Sequence, residues 1–537
     1  MKRLTSILAL IMAATFIFTA CGGNSATPAP TTPAATPAPS AAATPAPSAG
    51  TPVASFTAAE ASGSGRTDLN LTVAEAFITF DPIYQNLIVD NGVCVQMFET
   101  LYFTDDEAVS HPMLAESYSV SDDGLTYTFN LRKGVKFHNG DEMNADDVVF
   151  SIQEAMKSPY RYTAVEPVKD CVKVDDYTVE IIMKAPYGPF FTSLNSMWVV
   201  NKRAYEEAGS SVAFGEAPVG TGPYKFDSQQ KNVSVSISIF EDYWGTPATI
   251  EKINWRVITD TSTAVIAFEA GELDILDVPS ASWETIKASG NWITVDMPYT
   301  HICYMAYNHE VAPFDNVLVR QAINYAINKE DIIIMARDGL AEPANTVAKY
   351  PYVFGATYDT KTYNYDPEKA KELLAEAGYP DGFDMGAIQA LSGAYFEKVA
   401  QVVQANLADI GITSTIELRE SATYQTDISA GNYTMAVNGR TTSPDFSFFD
   451  VFYDSAQIGA GNGARFSNER VDELFALGKS TLDADERIAY YNEIINIVQE
   501  DATYAPVFFR TLPTAYDKAL TYTRYLNNIF YKNCHWN

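Results

Sequence analysis

Positive charge is scarce in this chain. Lysine and arginine number 36 against 67 aspartates and glutamates in 537 residues, leaving a net charge of −31. So acidic a protein repels phosphate backbones, which argues against a nucleic-acid partner. The acidic pairs Asp105-Asp106, Asp122-Asp123 and Asp175-Asp176 are scattered, as expected of a solvated surface rather than one cation-binding cleft. Histidine and cysteine are equally sparse, five of each. His111, His138, His301, His309 and His535 are dispersed, and Cys94, Cys171, Cys303 and Cys534 show no metal-ligand spacing, so no metal or other cofactor is expected. Those four cysteines could form two disulfides outside the cell or stay isolated buried thiols, and the sequence leaves both open. Catalytic signatures are missing too. There is no Gly-x-Ser-x-Gly elbow and no His-Glu-x-x-His, and the glycines of Pro218–Tyr224 are not followed by the Gly-Lys-Ser/Thr of a phosphate loop. The chain is therefore expected not to be an enzyme.

Long apolar runs are limited to one. Ile7 to Ala20 follows Lys2-Arg3 and is too short for a span of about 20 residues, so residues 1–21 read as a secretory signal with its cleavage site. Phe18-Thr19-Ala20-Cys21 resembles a bacterial lipobox, with Phe18 where Leu is usual, and implies a lipidated Cys21 on the outer face of the cell membrane. Loss of Lys2 and Arg3 with the signal takes the net charge from −31 to −33. Residues 22–65 are nearly all Ala, Thr, Pro, Ser and Gly, too poor in apolar surface to fold, and read as a disordered tether. In polyproline conformation, at about 3.1 Å per residue, it would reach up to roughly 100 Å.

What is present beyond residue 65 is an ordinary globular composition with clear local signals. Leu125, Tyr127, Phe129 and Leu131 alternate with Thr126, Thr128 and Asn130, the period of a strand with one buried face, after the turn Asp122-Asp123-Gly124. Arg132-Lys133-Gly134 and His138–Asp141 reverse the chain twice more. Asn144 is a good N-cap, Asp146 and Asp147 suit the first turn of a helix, and Val148, Val149, Ile152 and Met156 form its apolar face. Strands are also expected at Leu69–Val73 and Val233–Phe240, and a short helix, glycine stop and buried strand across Ala264–Ile275. Val319, Ala322, Ile323, Ala326 and Ile327 have helical spacing. Asp366-Pro367-Glu368 caps a helix that closes at Gly378, and Asp483 with Glu486 makes a reciprocal capping pair.

The run from His111 to Ile152 resembles the signature region of the family 5 extracellular solute-binding proteins, which deliver peptides, nickel complexes and related solutes to ABC importers. Further stretches are similar to the family: Pro218–Tyr224, Asp242–Gly245, Tyr304–Asn308, Pro313–Asp315 with Val319–Ile332, Asp366–Pro380, and Thr481–Phe509. Together they run from about Asp81 to Phe509. The resemblance implies an α/β, two-lobed periplasmic-binding-protein (type II) fold with an extra domain inserted in the first lobe. By analogy the first lobe takes 66–98, 216–306 and 505–537, the inserted domain 99–215 and the second lobe 307–504. It also implies a small-molecule or peptide ligand, ABC permease subunits as partners and a monomer.

Site residues follow from the same resemblance. Family peptide binders anchor the peptide amino group with an Asp placed just after a Gly-Trp pair and three residues before Pro-Asp-Pro. Aligning Ala436–Phe446 on Pro444-Asp445 puts Thr442 at that Asp and Gly439 at the Trp. A hydroxyl cannot balance a buried ammonium as a carboxylate does, which disfavours an ordinary free-amine peptide. Arg440 offers a fork of donors for a carboxylate, phosphate or sugar hydroxyl. Asp445 could replace the missing anchor or cap a turn. Asn438 is a further candidate; Tyr304 and Asn308 lie on the expected hinge strand, where alternate residues could face the cleft, with a core role open for Tyr304; and Asn86 and Asp90 belong to the cleft edge that follows Asp81-Pro82 in family members. A peptide or similar polar solute is the leading expectation. An oligosaccharide or other non-peptide comes second, although no Trp lies between Trp292 and Trp536 to stack on a sugar. A sensor role on the same architecture stays open.

Overall fold

The computed structural model describes residues 65–106, 108–393, 395–524 and 529–537. The signal, Cys21 and all of the tether but Gly65 lie outside the described residues. The chain enters on β1 (Asp68–Val73), with Leu69 and Leu71 buried, and α1 (Ile88–Met97). An antiparallel sheet follows: β2 (Ala115–Val120), β3 (Thr126–Leu131), β4 (Val168–Asp175) and β5 (Thr178–Met183), in spatial order β2-β3-β5-β4. The alternation in β3 is realised, with Tyr127, Phe129 and Leu131 buried and Asn130 exposed. Gly124 stands at φ +70°, and Asp123 Oδ1 accepts from the Leu125 amide at 3.0 Å.

Between β3 and β4 lies α2 (Ala145–Ala155). Asn144 Oδ1 accepts from the Asp146 amide at 2.8 Å while Asp147 Oδ2 accepts from the Asn144 amide at 3.0 Å, a complete capping box. Val148 and Ile152 are buried as expected, but Met156 falls at the C-cap and is exposed, because the helix ends one residue before it.

The chain returns to β6 (Tyr224–Gln230), β7 (Ser234–Ile239) and β8 (Lys252–Val257), which form the sheet β1-β8-β7-β6 with β1 parallel to β8. Glycine is needed at the returning turn because a Cβ on Gly220 would lie 2.0 Å from the Met97 carbonyl oxygen. The following helix, α3 (Thr261–Glu269), starts earlier than its apolar run because Asp260 caps the Thr263 amide at 2.7 Å.

The largest sheet has seven strands. It takes β9 (Ile275–Asp277), β10 (Ile293–Tyr307), β11 (Phe383–Leu391), β12 (Ile412–Arg419), β13 (Met435–Thr441) and β14 (Tyr504–Tyr516) in spatial order β9-β14-β10-β13-β11-β12, with Ala341–Pro343 paired to β14. Helices cover both faces: α4 (Val317–Ala326), α5 (Pro367–Glu376), α6 (Phe396–Asp409), α7 (Glu469–Ser480) and α8 (Ala484–Asp501). Cys303, Met305 and Tyr307 of β10 pack with α4, α5 and α6, while Ile302, Tyr304 and Ala306 pack with α7 and α8. Ala505, Val507 and Phe508 of β14 join the first of these cores and Phe509 the second. Residues 302–306 and 505–509 thus pack with helices α4 to α8. The pairing of β10 with β14, which starts with Ile293 opposite Tyr516, is irregular between Pro298 and Ile302 and again between Cys303 and Tyr304.

Asp366 and Asp483 cap α5 and α8 as expected, accepting from the Lys369 and Glu486 amides at 2.9 and 3.0 Å. For Asp483 the pair is one-sided: the forward bond forms alone. Cys94, Cys171, Cys303 and Cys534 are unpaired and buried, so the thiol alternative holds for them.

Candidate functional site

A cleft of about 810 Å³ opens between the 103–198 segment and the end of β13 with the helical turns after it. One wall presents Phe103, Tyr162, Tyr187 and Trp198; the other presents Phe448, Phe449 and Phe452. Its volume falls in the range of roughly 300–1,000 Å³ typical of small-ligand sites.

The structure brings together two of the expected residues, Arg440 and Thr442, at the end of β13. Arg440 is exposed, with its guanidinium 5.7 Å from the Phe452 ring centre. Thr442 is buried and its hydroxyl donates to the Thr300 carbonyl at 3.0 Å, a bond that ties the residue just past β13 to the middle of β10. The remaining candidates do not line the cleft. Asp445 is 2 % exposed; both its oxygens accept from Arg487 Nη2, at 2.9 and 2.7 Å, and Oδ1 also caps the Ser447 amide at 2.9 Å. It is an ion-paired turn cap, not a free anchor. Tyr304 is packed edge-on against Phe452 and Tyr504. Asn308 donates to the carbonyls of Gly431 and Tyr433, and Asn438 Oδ1 accepts from the Tyr424 hydroxyl at 2.8 Å. Both positions are explained by local support.

On the first-lobe edge, Asp90 is fully buried and accepts from the amides of Ile78 and Thr79 at 3.0 and 3.3 Å. Burial pushes its carboxyl up to about 6. Asn86 is exposed on the loop ahead of α1 and is absent from the lining. Asn91, the next residue after Asp90, lines the cleft instead and accepts from Gln85 Nε2 at 3.0 Å. Beside it, Arg161 is held by four bonds to backbone carbonyls, two to Pro82 and one each to Gln85 and Tyr160. None of the first-wall aromatics was foreseen. The one available signal was Tyr187-Gly188-Pro189, a turn flanked by aromatic residues.

The walls touch at that turn. The Gly188 amide donates to the Lys479 carbonyl at 2.7 Å, and Arg487 Nη1 donates to the Gly188 carbonyl at 3.2 Å. Arg487 is 6 % exposed and is aimed by its pairing with Asp445 and by Nε, which donates to the Gly478 carbonyl at 3.0 Å. A Cβ on Gly188 would lie 2.2 Å from the Thr481 carbonyl oxygen and 2.8 Å from Arg487 Cδ. Asp445 therefore serves the cleft indirectly, by holding the arginine that meets the opposite wall. Among the described residues no group of histidines, cysteines and carboxylates has the arrangement of a metal site, and no helix is long and apolar enough to cross a membrane.

Two lobes around a lined cleft, with a long two-stranded connection between them, define a solute-binding protein of the type II periplasmic class. A sequence model of the bacterial extracellular solute-binding proteins, family 5 (middle region), matches residues 110–460, and the chain belongs to that family. It is 31% identical over 474 residues to the glutathione-binding protein GsiB of Salmonella choleraesuis, covering 84% of this chain and 91% of the relative. It is 32% identical over 489 residues to heme-binding protein A of Haemophilus influenzae, covering 83% and 88%. Among solved structures it is similar to the DppA periplasmic binding protein of Helicobacter pylori in complex with the peptide STSA, with TM-score 0.70, 28% identity, and 87% of this chain and 98% of that one covered.

Proposed function

We propose that this chain is the substrate-binding component of an ABC importer, held on the outer face of the cell membrane by lipidated Cys21 and the 22–65 tether. It captures a peptide or similar-sized polar solute between its lobes and passes it unaltered to permease subunits. The cleft of about 810 Å³ carries this reading, since its walls come from segments more than 200 residues apart in sequence. A solute there touches both lobes, so closure gains contacts that the open state lacks. Micromolar capture needs those contacts to net roughly 8 kcal/mol. We place the inserted domain at 99–215 and set the hinge at the Pro298–Ile302 irregularity, so that 302–306 and 505–509 move with the second lobe. The protein acts as a monomer with one solute.

A second reading, a non-peptide solute such as an oligosaccharide, is favoured by one observation. Trp198 on the first wall offers the stacking platform that the second lobe lacks. Mass spectrometry of the solute released from gently denatured mature protein decides between the two. A short peptide supports the first reading and a glycan the second; a chemically altered product, or no solute together with no stabilisation by peptide or sugar libraries, contradicts both.

A further inference from the structure

Resting on the peptide-like solute reading above, we infer that the solute is an organic carboxylate and that Arg440 receives its carboxyl group. Arg440 stands exposed on the second-lobe wall, and among the described residues it makes no ion pair and no hydrogen bond. The other cations of the cleft are committed. Arg161 bonds the Pro82 and Gln85 carbonyls, and Lys479 pairs with Asp450. Acidic groups lining the cleft have their own partners as well: Glu166 pairs with Lys184, and Asp105 accepts from the Val109 amide and His111 Nε2, with Asp106 beside it on the first wall.

The polarity of recognition at the second-lobe wall is thus opposite to an amine anchor. The two positions that would meet an ammonium are taken, Thr442 by the Thr300 carbonyl and Asp445 by Arg487. Arg440 presents a planar fork whose donors match a carboxylate in two parallel bonds, and the Phe452 face beneath it orients the guanidinium while leaving its edge free. One positive charge balances one carboxylate. A phosphate dianion would need a second, and the nearest candidate on this wall, Lys479, is neutralised by Asp450.

The test follows thermal unfolding of the mature chain, wild type and Arg440→Gln, with tri- to pentapeptide libraries built without Asp or Glu. The libraries are offered as free acids, as C-terminal amides and as N-acetylated free acids. The free acids should stabilise the wild type with or without acetylation, and the amides should not. Titration calorimetry with the most stabilising acid should show Arg440→Gln weakened about tenfold to a hundredfold. Without peptide the two proteins should unfold alike, since Arg440 is exposed. Equal stabilisation by acids and amides, or undiminished binding by Arg440→Gln, overturns the carboxylate anchor and leaves the solute reading standing. Stabilisation by none of the libraries overturns both.

Discussion

Replacing Gly188 by alanine separates closure from folding. Gly188 is not in the left-handed region, so a methyl group costs its own backbone nothing. In the closed arrangement the methyl would sit 2.2 Å from the Thr481 carbonyl oxygen, about 1 Å inside contact distance, and 2.8 Å from both Cδ and Nε of Arg487. Arg487 cannot retreat while Asp445 and the Gly478 carbonyl hold it, so the turn itself must back away. Two bonds are then lost: Gly188 amide to Lys479 carbonyl, and Arg487 to Gly188 carbonyl. A neutral bond contributes about 1 kcal/mol and one from a charged donor about 1.5–3, so the closed state loses about 2.5–4 kcal/mol. Affinity for the solute recovered from wild-type protein should fall by about 60-fold to 700-fold in calorimetry. The melting temperature of solute-free protein should be unchanged. Undiminished affinity in Gly188→Ala would refute the idea that this contact belongs to the closed, solute-holding state.

Three further outcomes are expected. Arg487→Met strands a buried Asp445 carboxylate and should cost about 3–5 kcal/mol in urea denaturation, more than the double change Arg487→Met with Asp445→Asn; a loss below about 1 kcal/mol would mean the pair contributes little. His138 accepts from the Gly220 amide at Nδ1 and meets the Gly222 carbonyl at Nε2, and burial holds it down to about 4. Because the folded value is depressed, its contribution is present above about pH 6.5 and is lost as pH falls through 4, so His138→Asn should flatten the loss of urea stability between pH 6.5 and 4; an unaltered pH slope would assign that loss elsewhere. Cys21→Ser should abolish palmitate labelling and release the chain from the membrane fraction, and retained attachment would contradict the anchor.

Much of the fold was legible because its signals are local. The Asn144 capping box, the Asp366-Pro367 helix start and the alternation of β3 each lie within a few residues and decide their own geometry. The site was less legible, for a reason visible in β10. Alternation left Tyr304 open between the cleft and the core; both faces of this strand are covered by helices, so period two sorts its residues between two cores and Tyr304 takes the core role. Thr442 and Asp445 were found by position but their partners were not, since Thr300 and Arg487 lie 142 and 42 residues away. Asn91 was missed by a single residue because the turn of α1 carries Asp90 inward, to the amides of Ile78 and Thr79. The aromatic first wall depends wholly on how the inserted domain docks, for which no local pattern exists.

The central claim is reversible capture by closure without chemistry, and native mass spectrometry of the purified mature chain addresses it directly. The predicted result is a one-to-one, non-covalent complex whose solute leaves intact on denaturation and rebinds to the wild type but only weakly to Gly188→Ala. A chain that carries and rebinds nothing, or that returns the solute chemically changed, would contradict the account.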